Sequence, residues 1–226
     1  MSNLSRRSFL VRSSTIAALS VLSRSLPESA AAAQEAQVTN DDLIARMTWL
    51  NEPASWKRSS DQLVVHSRPR TDFWRKTFLE QVVDNGHFFH LKATGNFVFE
   101  ARVNGKYSAL FDQAGIMVRL DPENWMKCGV EFFEGQPQAS VVFTRDFSDW
   151  SIMKVLPNTE AIWWRAARHK NSIEIYYSLN GQNFTLIRSG YFAPSSQAEV
   201  GIMCASPQGE GFEATFDRLK LSAEKG

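Results

Sequence analysis

Residues 111–151 read FDQAGIMVRLDPENWMKCGVEFFEGQPQASVVFTRDFSDWS, and this stretch decides the fold. Its three runs of alternating apolar and polar residues are joined by Asp121-Pro122-Glu123-Asn124 and by Glu134-Gly135-Gln136-Pro137. Alternation with a period of two is typical of half-buried antiparallel strands, and Pro and Gly at such places are typical of turns. The stretch therefore predicts three consecutive antiparallel strands.

The pleat of these strands divides their side chains between two faces. Pairing directly across the two turns would set Arg119 near Lys127 and Ser140 near Glu131. The face assigned to the core consists of Ile116, Val118, Cys128, Val130, Phe132, Val141 and Phe143. The opposite face is expected to be exposed and consists of Met117, Arg119, Lys127, Glu131, Ser140 and Thr144. A face of this kind either is solvated or binds a ligand, and the pattern leaves both readings open.

Length and composition restrict the class of protein. The chain has 226 residues and 43% hydrophobic content, enough to bury the core of one domain, and β-sandwiches commonly reach this size. The formal net charge is +1, and no dense block of Lys and Arg follows residue 30, so no nucleic-acid partner is expected. Cys128 and Cys204 lie in apolar runs and are interpreted as buried thiols, with a disulfide between them left open.

The first residues resemble an export leader. Residues 5–10, SRRSFL, are similar to the twin-arginine pattern, and the small residues Ala30 to Ala33 follow a weakly apolar run. We expect a leader over residues 1–33, a linker or short helix over 34–47 and one domain over 48–222. The leader predicts a periplasmic or secreted protein, with mitochondrial import as the alternative. No apolar run is long enough for membrane insertion.

The rest of the chain carries further strand patterns. Ile162–Arg168 and Ser172–Leu179 form a hairpin-like pair, and Asn180-Gly181 predicts a type I′ turn after it. Ala198–Ala205 and Gly211–Leu221 supply the last alternating segments. Because strand patterns dominate and helical periodicity is scarce, we predict an all-β sandwich.

Segments along the whole mature chain resemble one family. They are WLNEP, TDFW, DNGHFF, DQAGIMVRLD, W-x-K-x-G-x-E, SVVFTR, SDWS, WWRAAR, YYSLNGQNF and SPQGEGFEATF. Together they are similar to a family of unknown function within the concanavalin A-like lectin/glucanase superfamily, which includes a yeast regulator-of-enolase protein. The resemblance covers Thr48 to Leu221 and implies a jelly-roll sandwich of two curved antiparallel sheets. This type of domain is also similar to the accessory sandwich of some β-xylosidases, which implies contact with sugar.

Candidate binding residues are chosen for two kinds of contact. Aromatic rings stack on the C–H faces of sugars, and charged or amide groups hydrogen-bond to hydroxyls. The aspartates near strand ends, Asp72, Asp84, Asp112 and Asp149, have the alternative role of holding turns through local hydrogen bonds. The candidate ligand-binding residues are Trp74, His87, Asp112, Gln113, Arg119, Lys127, Glu131, Asp149, Trp150, Trp163, Arg165 and Tyr176.

Three hypotheses for function follow. The first is an exported, non-catalytic domain that binds carbohydrate on the concave sheet face. The second is a glycoside hydrolase or lyase acting on a polysaccharide, which needs paired carboxylates such as Glu131 with Glu100 or Glu174. The third is a protein-interaction or regulatory domain without sugar binding.

Catalytic residues and cofactors are not predicted. The resemblance carries no catalytic set, and Phe132 and Phe133 interrupt the strand on which many sandwich glucanases place two acids. Asp112, Asp149 and Glu131 could offer oxygen ligands to Ca²⁺, but no dense series of ligands supports such a site.

Overall fold

The computed structural model of the chain describes residues 40–59, 61–154 and 161–224. These residues form two large antiparallel sheets, a small separate hairpin and one short helix, so the predicted all-β sandwich is confirmed. The leader expected over residues 1–33 lies outside the described residues. No helix with the length and apolar character of a membrane span occurs in residues 40–59, 61–154 and 161–224.

Within the described residues, each large sheet has seven strands. In spatial order, the first sheet contains β1 (Thr48–Leu50), β6 (His87–Thr94), β15 (Gln197–Ala205), β8 (Gln113–Asp121), β9 (Asn124–Phe133), β10 (Gln136–Arg145) and β11 (Phe147–Lys154). The second sheet contains β14 (Thr185–Tyr191), β13 (Ser172–Ser178), β12 (Ile162–His169), β7 (Phe97–Gly105), β16 (Glu213–Ala223), β3 (Gln62–His66) and β2 (Ser55–Arg58). The separate hairpin pairs β4 (Phe73–Arg75) with β5 (Val82–Asp84), and the helix α1 is Asn40–Ala45.

The main core lies between the two sheets. Each sheet turns one set of alternate side chains inward, as the period of two requires. The central strands contribute Ile116, Val118, Cys128, Val130, Val141 and Phe143, all buried as predicted. Phe132 is only partly buried, so its assignment to the core is wrong. It pairs with Pro137 close to the hairpin end, where the second sheet covers less of it.

The two cysteines are free thiols in this core. Burial raises the pKa of both Cys128 and Cys204 far above the ordinary range of a thiol. A buried neutral thiol is a poor nucleophile, so both behave as small apolar side chains.

The pairing of the central strands differs from the predicted register by two residues. Lys127 lies opposite Met117 rather than Arg119. Asp121 pairs with Asn124 at the turn, which accounts for one residue of the difference, and an extra residue on β8 between Arg119 and Asp121 accounts for the other. Glu131 lies opposite Gln138 rather than Ser140. A shift of two keeps every side chain on its predicted face.

The second turn explains the shift at Glu131. Only Glu134 and Gly135 form the loop, both with positive φ, at 53° and 76°. Two central residues of this kind make a type I′ turn, whose twist suits a two-residue hairpin. Gln136 and Pro137 therefore already belong to β10.

The type I′ turn predicted at Asn180-Gly181 is wrong. Gly181 alone of the two has positive φ, and a longer loop connects Ser178 to Thr185. The Asn180 Oδ1 organises this loop by accepting hydrogen bonds from the backbone N–H groups of Gln182 and Asn183. A side-chain amide that caps its own loop replaces the tight turn.

The hairpin β4–β5 covers part of the outer face of the first sheet, which the sequence pattern did not predict. Phe73 packs there in a second apolar cluster together with Phe88, Met117, Trp125, Val142 and Met203. All six side chains are buried. The first sheet is therefore apolar on both faces over part of its area.

Gly115 and Gly129 face each other where β8 and β9 lie close together. A Cβ atom added to Gly129 would lie 2.1 Å from the Ala114 carbonyl oxygen and 2.7 Å from the Gly115 Cα. Both neighbours are backbone atoms, so the strands themselves would have to move.

We expect Gly129→Ala to lower the free energy of unfolding by about 3 kcal/mol, the upper range for overpacking. Urea unfolding of the purified domain measures the loss. Gly135→Ala is the control, since its Cβ would meet no atom within 4 Å, and its positive φ costs only about 1 kcal/mol. Equal losses in the two variants would contradict the close approach of the strands.

Candidate functional site

The cover β4–β5 is fastened to the first sheet by charged contacts. The Arg119 guanidinium donates to both carboxylate oxygens of Asp84, at 2.7 and 2.8 Å. The Lys127 ammonium donates to Asp72 Oδ1 at 3.2 Å and to the Phe73 carbonyl at 2.7 Å. These contacts run from the face of the sheet up to the cover, so they bury the cations beneath it.

The predicted exposure of Arg119, Lys127 and Glu131 is therefore wrong. Their exposed fractions are only 4%, 5% and 7%. The face assignment was right, but the sequence pattern could not reveal that residues 69–86 return over that face. The charges are tolerated because each cation has an anionic partner.

A cluster of polar groups lies at the border of the cover, and we call it the Trp150 cleft. The indole Nε1 of Trp150 donates to Glu131 Oε2 at 3.0 Å and to Ser140 Oγ at 3.1 Å. The Gln113 Nε2 donates to Asp72 Oδ1 at 3.3 Å, and the same oxygen accepts from Lys127. The cleft is formed by Asp72, Gln113, Lys127, Glu131, Ser140 and Trp150.

An aromatic wall stands beside this cleft. Phe111 and Phe133 are stacked, with ring centroids 5.8 Å apart. Trp150 meets both rings edge-on, at 6.3 Å from Phe111 and 5.2 Å from Phe133. All three rings are partly exposed, so the wall offers apolar surface next to buried hydrogen-bonding groups.

The opening in the cleft is small. It lies between Gln113, Lys127, Ser140 and Met203, and its volume is about 10 Å³. A space of this size holds one water molecule. A ligand can therefore place one hydroxyl-sized group inside, while the rest of it lies across the mouth.

Glu131 is the buried acid of the cleft. Burial raises its pKa, while Lys127 and the hydrogen bonds from Ser140 and Trp150 act in the opposite direction. The raised pKa means that burial outweighs these contacts. Glu131 is a hydrogen-bonding group whose protonated form persists to a higher pH than that of an exposed glutamate.

Several other predicted site residues have structural roles near the first sheet. His87 is buried: its Nδ1 donates to the Asn51 carbonyl and its Nε2 accepts from the Arg68 N–H, and burial lowers its pKa. Asp112 is fully buried and holds a turn through the N–H groups of Ser108 and Ala109. Neither side chain faces the Trp150 cleft.

Two candidate residues lie at the margins of the first sheet. The indole of Trp74, on the cover, donates to the Thr77 carbonyl at 2.8 Å and packs against the second apolar cluster. Asp149, on the edge strand β11, pairs with Arg188 of β14 at 2.8 Å. Trp74 and Asp149 therefore serve the cover and the sheet edge.

Three further candidates, Trp163, Arg165 and Tyr176, lie on the outer face of the second sheet. Arg165 donates to Glu100 at 2.6 Å, and Trp163 lies 5.9 Å from the Arg102 guanidinium. Partial burial and the hydrogen bond to Glu174 raise the pKa of Tyr176 to about 12. The structure thus places these three residues on a different sheet from the Trp150 cleft.

The oxygen ligands considered for Ca²⁺ are not brought together. Asp112 accepts from Ser206, Asp149 pairs with Arg188, and Glu131 accepts from Trp150. Among the described residues, no group of three or more His, Cys, Asp or Glu side chains could hold a metal ion.

Four residues of the site are absent from the candidate ligand-binding residues: Asp72, Ser140, Phe111 and Phe133. The sequence leaves Asp72 open between holding a turn and binding, although the TDFW motif places it beside an aromatic strand. Phe111 has a φ of 68°, a backbone conformation that the residue types around it do not predict. Phe133 ends β9, and its contacts with Phe111 and Trp150 depend on tertiary packing that the alternation of side chains does not specify.

The two packed antiparallel sheets define a jelly-roll β-sandwich domain. A family described as "Protein of unknown function (DUF1349)" matches residues 49–224, and the chain belongs to this family. It is 35% identical over 183 residues to Regulation of enolase protein 1 of Saccharomyces cerevisiae, covering 81% of this chain and 92% of that protein. The predicted membership of the family that includes the yeast regulator-of-enolase protein is thereby confirmed.

Solved structures support the fold. A functionally unknown protein from Saccharomyces cerevisiae matches with a TM-score of 0.78 and 35% identity, covering 81% of this chain and 99% of that chain. The GH43 protein BlXynB from Bacillus licheniformis matches with a TM-score of 0.62 and 18% identity, over 79% of this chain but 37% of its own. The carbohydrate binding module CBM66 from Bacillus subtilis matches with a TM-score of 0.53 and 11% identity, over 79% of this chain and 96% of its own. The last two likenesses concern the fold alone.

The ion pair between Arg119 and Asp84 gives a prediction about stability. Asp84→Ala leaves the Arg119 charge buried without its partner, and we expect a loss of about 3 kcal/mol in the free energy of unfolding. The double variant Asp84→Ala with Arg119→Met removes both charges and is expected to recover more than half of that loss. Chemical denaturation of the four proteins of the cycle measures both values. If the losses of the two single variants simply add in the double variant, Asp84 and Arg119 do not interact, and the ion pair does not fasten the cover.

The raised pKa of Glu131 gives a prediction about pH. Its protonated form is favoured in the folded state, so its contribution to stability is fully present below about pH 4.5, the ordinary pKa, and is lost as pH rises through the folded pKa. Glu131→Gln cannot ionise, so its stability relative to wild type should increase as pH rises. Urea unfolding from pH 4 to pH 8 tests this, with the exposed Glu134→Gln as the control. A difference between wild type and Glu131→Gln that is constant with pH would overturn it.

Proposed function

We propose that this protein is an exported, non-catalytic carbohydrate-binding domain that holds a sugar residue at the Trp150 cleft. The observation that carries the proposal is the contact between the aromatic wall of Phe111, Phe133 and Trp150 and the buried polar groups Glu131 and Ser140. Sugars present apolar C–H faces together with hydroxyls, and this pairing of surfaces fits both.

The small opening suggests how a sugar would bind. One hydroxyl enters the space beside Gln113, Lys127 and Ser140, where it takes the place of a water molecule. The ring then lies across the mouth against the aromatic wall. A single anchored hydroxyl favours a shallow, weak site, as in a module that binds repeated sugar units along a polymer.

The fold and the predicted leader support this proposal in different ways. CBM66 shares the fold over most of its length. The twin-arginine-like sequence at residues 5–10 would direct the domain to the periplasm or the exterior, where polysaccharides occur.

The enzymatic alternative rests on the raised pKa of Glu131, which is typical of a general acid. Glycoside hydrolysis needs a second carboxylate on the other side of the scissile bond. Asp72 is the acid of the cleft nearest to this role, but its Oδ1 already accepts from Phe73, Gln113 and Lys127. The opening also admits one water-sized group rather than a glycosidic bond. We therefore expect binding without turnover.

The first test is a glycan array followed by calorimetric titration of the best binder. We expect Trp150→Ala and Glu131→Gln each to weaken binding about tenfold, since each removes a contact of roughly 1.4 kcal/mol. Far-UV circular dichroism establishes that the variants are folded. A panel of chromogenic glycosides tests in parallel for turnover.

Trp163→Ala is the matched control, because Trp163 is a partly exposed tryptophan on the outer face of the other sheet. It should leave the affinity unchanged. The proposal fails if no glycan binds, or if Trp163→Ala removes binding while Trp150→Ala does not. Turnover that is lost in Glu131→Gln would establish the enzymatic alternative instead.

A further inference from the structure

A second pocket lies at the opposite end of the sandwich from the Trp150 cleft. Strand β15 places Ala205 beside Gln113 of the cleft, whereas its other end begins at Gln197, next to the pocket residues Ser195 and Ser196. The pocket has a volume of about 450 Å³, far larger than the opening of the cleft. It lies among the turn at Gly95 and Asn96, the turn at Lys170 and the loop before β15.

The pocket is positively charged. Of its seven lining residues, Arg168 and Lys170 are cations and none is a carboxylate. Lys170 is exposed, whereas Arg168 is 1% exposed. The pocket therefore combines one accessible charge with one charge that is withdrawn from water.

Arg168 carries its charge without an anionic partner among the described residues. Its Nη2 donates to the Ser195 carbonyl at 2.8 Å and its Nη1 to the Gly95 carbonyl at 3.4 Å, while its Nε has no hydrogen-bond partner. Burial lowers the pKa of this guanidinium. Buried arginines are normally compensated by a carboxylate or another anion, so this charge is unusual.

The groups around Arg168 do not compensate it. The ring of Phe97 lies 5.8 Å from the guanidinium and offers only a weak attraction. The backbone N–H of Glu224 donates to Asn96, which brings this acid near the pocket, but its carboxylate pairs with His169 at 3.0 Å. His169 also faces Glu174, at 3.8 Å. The carboxylates of Glu174 and Glu224 thus face His169 rather than Arg168.

We propose that this pocket binds an oxyanion, a phosphate or sulfate group that is either free or carried on a sugar. The guanidinium of Arg168 is held in place by two carbonyls of separate loops, so little conformational freedom is lost when an anion approaches. The flexible Lys170 supplies a second charge at the mouth. Arg and Lys together are the usual partners of tetrahedral oxyanions. This site is independent of the Trp150 cleft.

The experiment is a titration of the full domain with inorganic phosphate, glucose 6-phosphate and glucose, at constant ionic strength, followed by calorimetry and thermal unfolding. Phosphate and glucose 6-phosphate should bind and raise Tm, and glucose should do neither at this pocket. Glucose 6-phosphate binding more tightly than phosphate would identify an anion carried on a sugar. Equal affinities would identify the free ion as the ligand.

Variants locate the site. Lys170→Glu should weaken phosphate binding at least tenfold, because it replaces attraction by repulsion. Lys57→Glu is the control, since Lys57 is exposed on the edge strand β2 and gives the same change in net charge. Arg168→Lys keeps the charge but loses the fixed geometry, and a reduction in affinity is expected. If Arg168→Lys does not fold, the comparison of Lys170→Glu with Lys57→Glu alone decides whether the anion binds at this pocket.

Two results would overturn the proposal. One is the absence of phosphate binding by the wild-type protein at tens of millimolar. The other is phosphate affinity that falls equally in Lys170→Glu and Lys57→Glu, which would indicate a response to net charge only. Sugar binding at the Trp150 cleft is measured separately with Trp150→Ala, so failure at one site leaves the conclusion on the other intact.

Discussion

The structure depends on the ion pairs that hold the covering segment onto the charged outer face of the first sheet. Arg119 and Lys127 rise from β8 and β9, and Asp84 and Asp72 descend from the segment that crosses above them. A buried charge is tolerated only with a partner and satisfied hydrogen bonds, so the cations and the covering segment require each other. The apolar cluster around Phe73 and Trp125 then fills the space beneath the cover.

This closure leaves little of the face accessible. Where the cover ends, Asp72 links Lys127 to Gln113, and Trp150 links Glu131 to Ser140. The polar groups that remain near solvent are thus held rigidly before any ligand arrives, which lowers the entropy lost on binding. The same closure limits the opening to one water-sized group, so a larger ligand must rest against the aromatic wall.

Much of the fold followed from local patterns. The alternation in residues 111–151 predicted three strands and assigned six core side chains correctly, because a register error of two residues leaves the faces unchanged. The register itself depended on a bulge near Arg119 and on the conformation of Glu134, which the residue types did not specify. The site was harder to predict, since Asp72 meets Lys127 through a contact between residues 55 positions apart. Trp163 and Trp150 look equally suited to stacking in the sequence, and only the topology places them on different sheets.

The sugar site that we propose at the Trp150 cleft can be tested directly. The most direct measurement follows the tryptophan indole N–H resonances by NMR while the best-binding glycan is added. We expect the Trp150 resonance to move progressively, because its indole N–H bridges Glu131 and Ser140, and the Trp163 resonance to stay in place. Movement of the Trp163 resonance with the Trp150 resonance unchanged would contradict a sugar site at the Trp150 cleft.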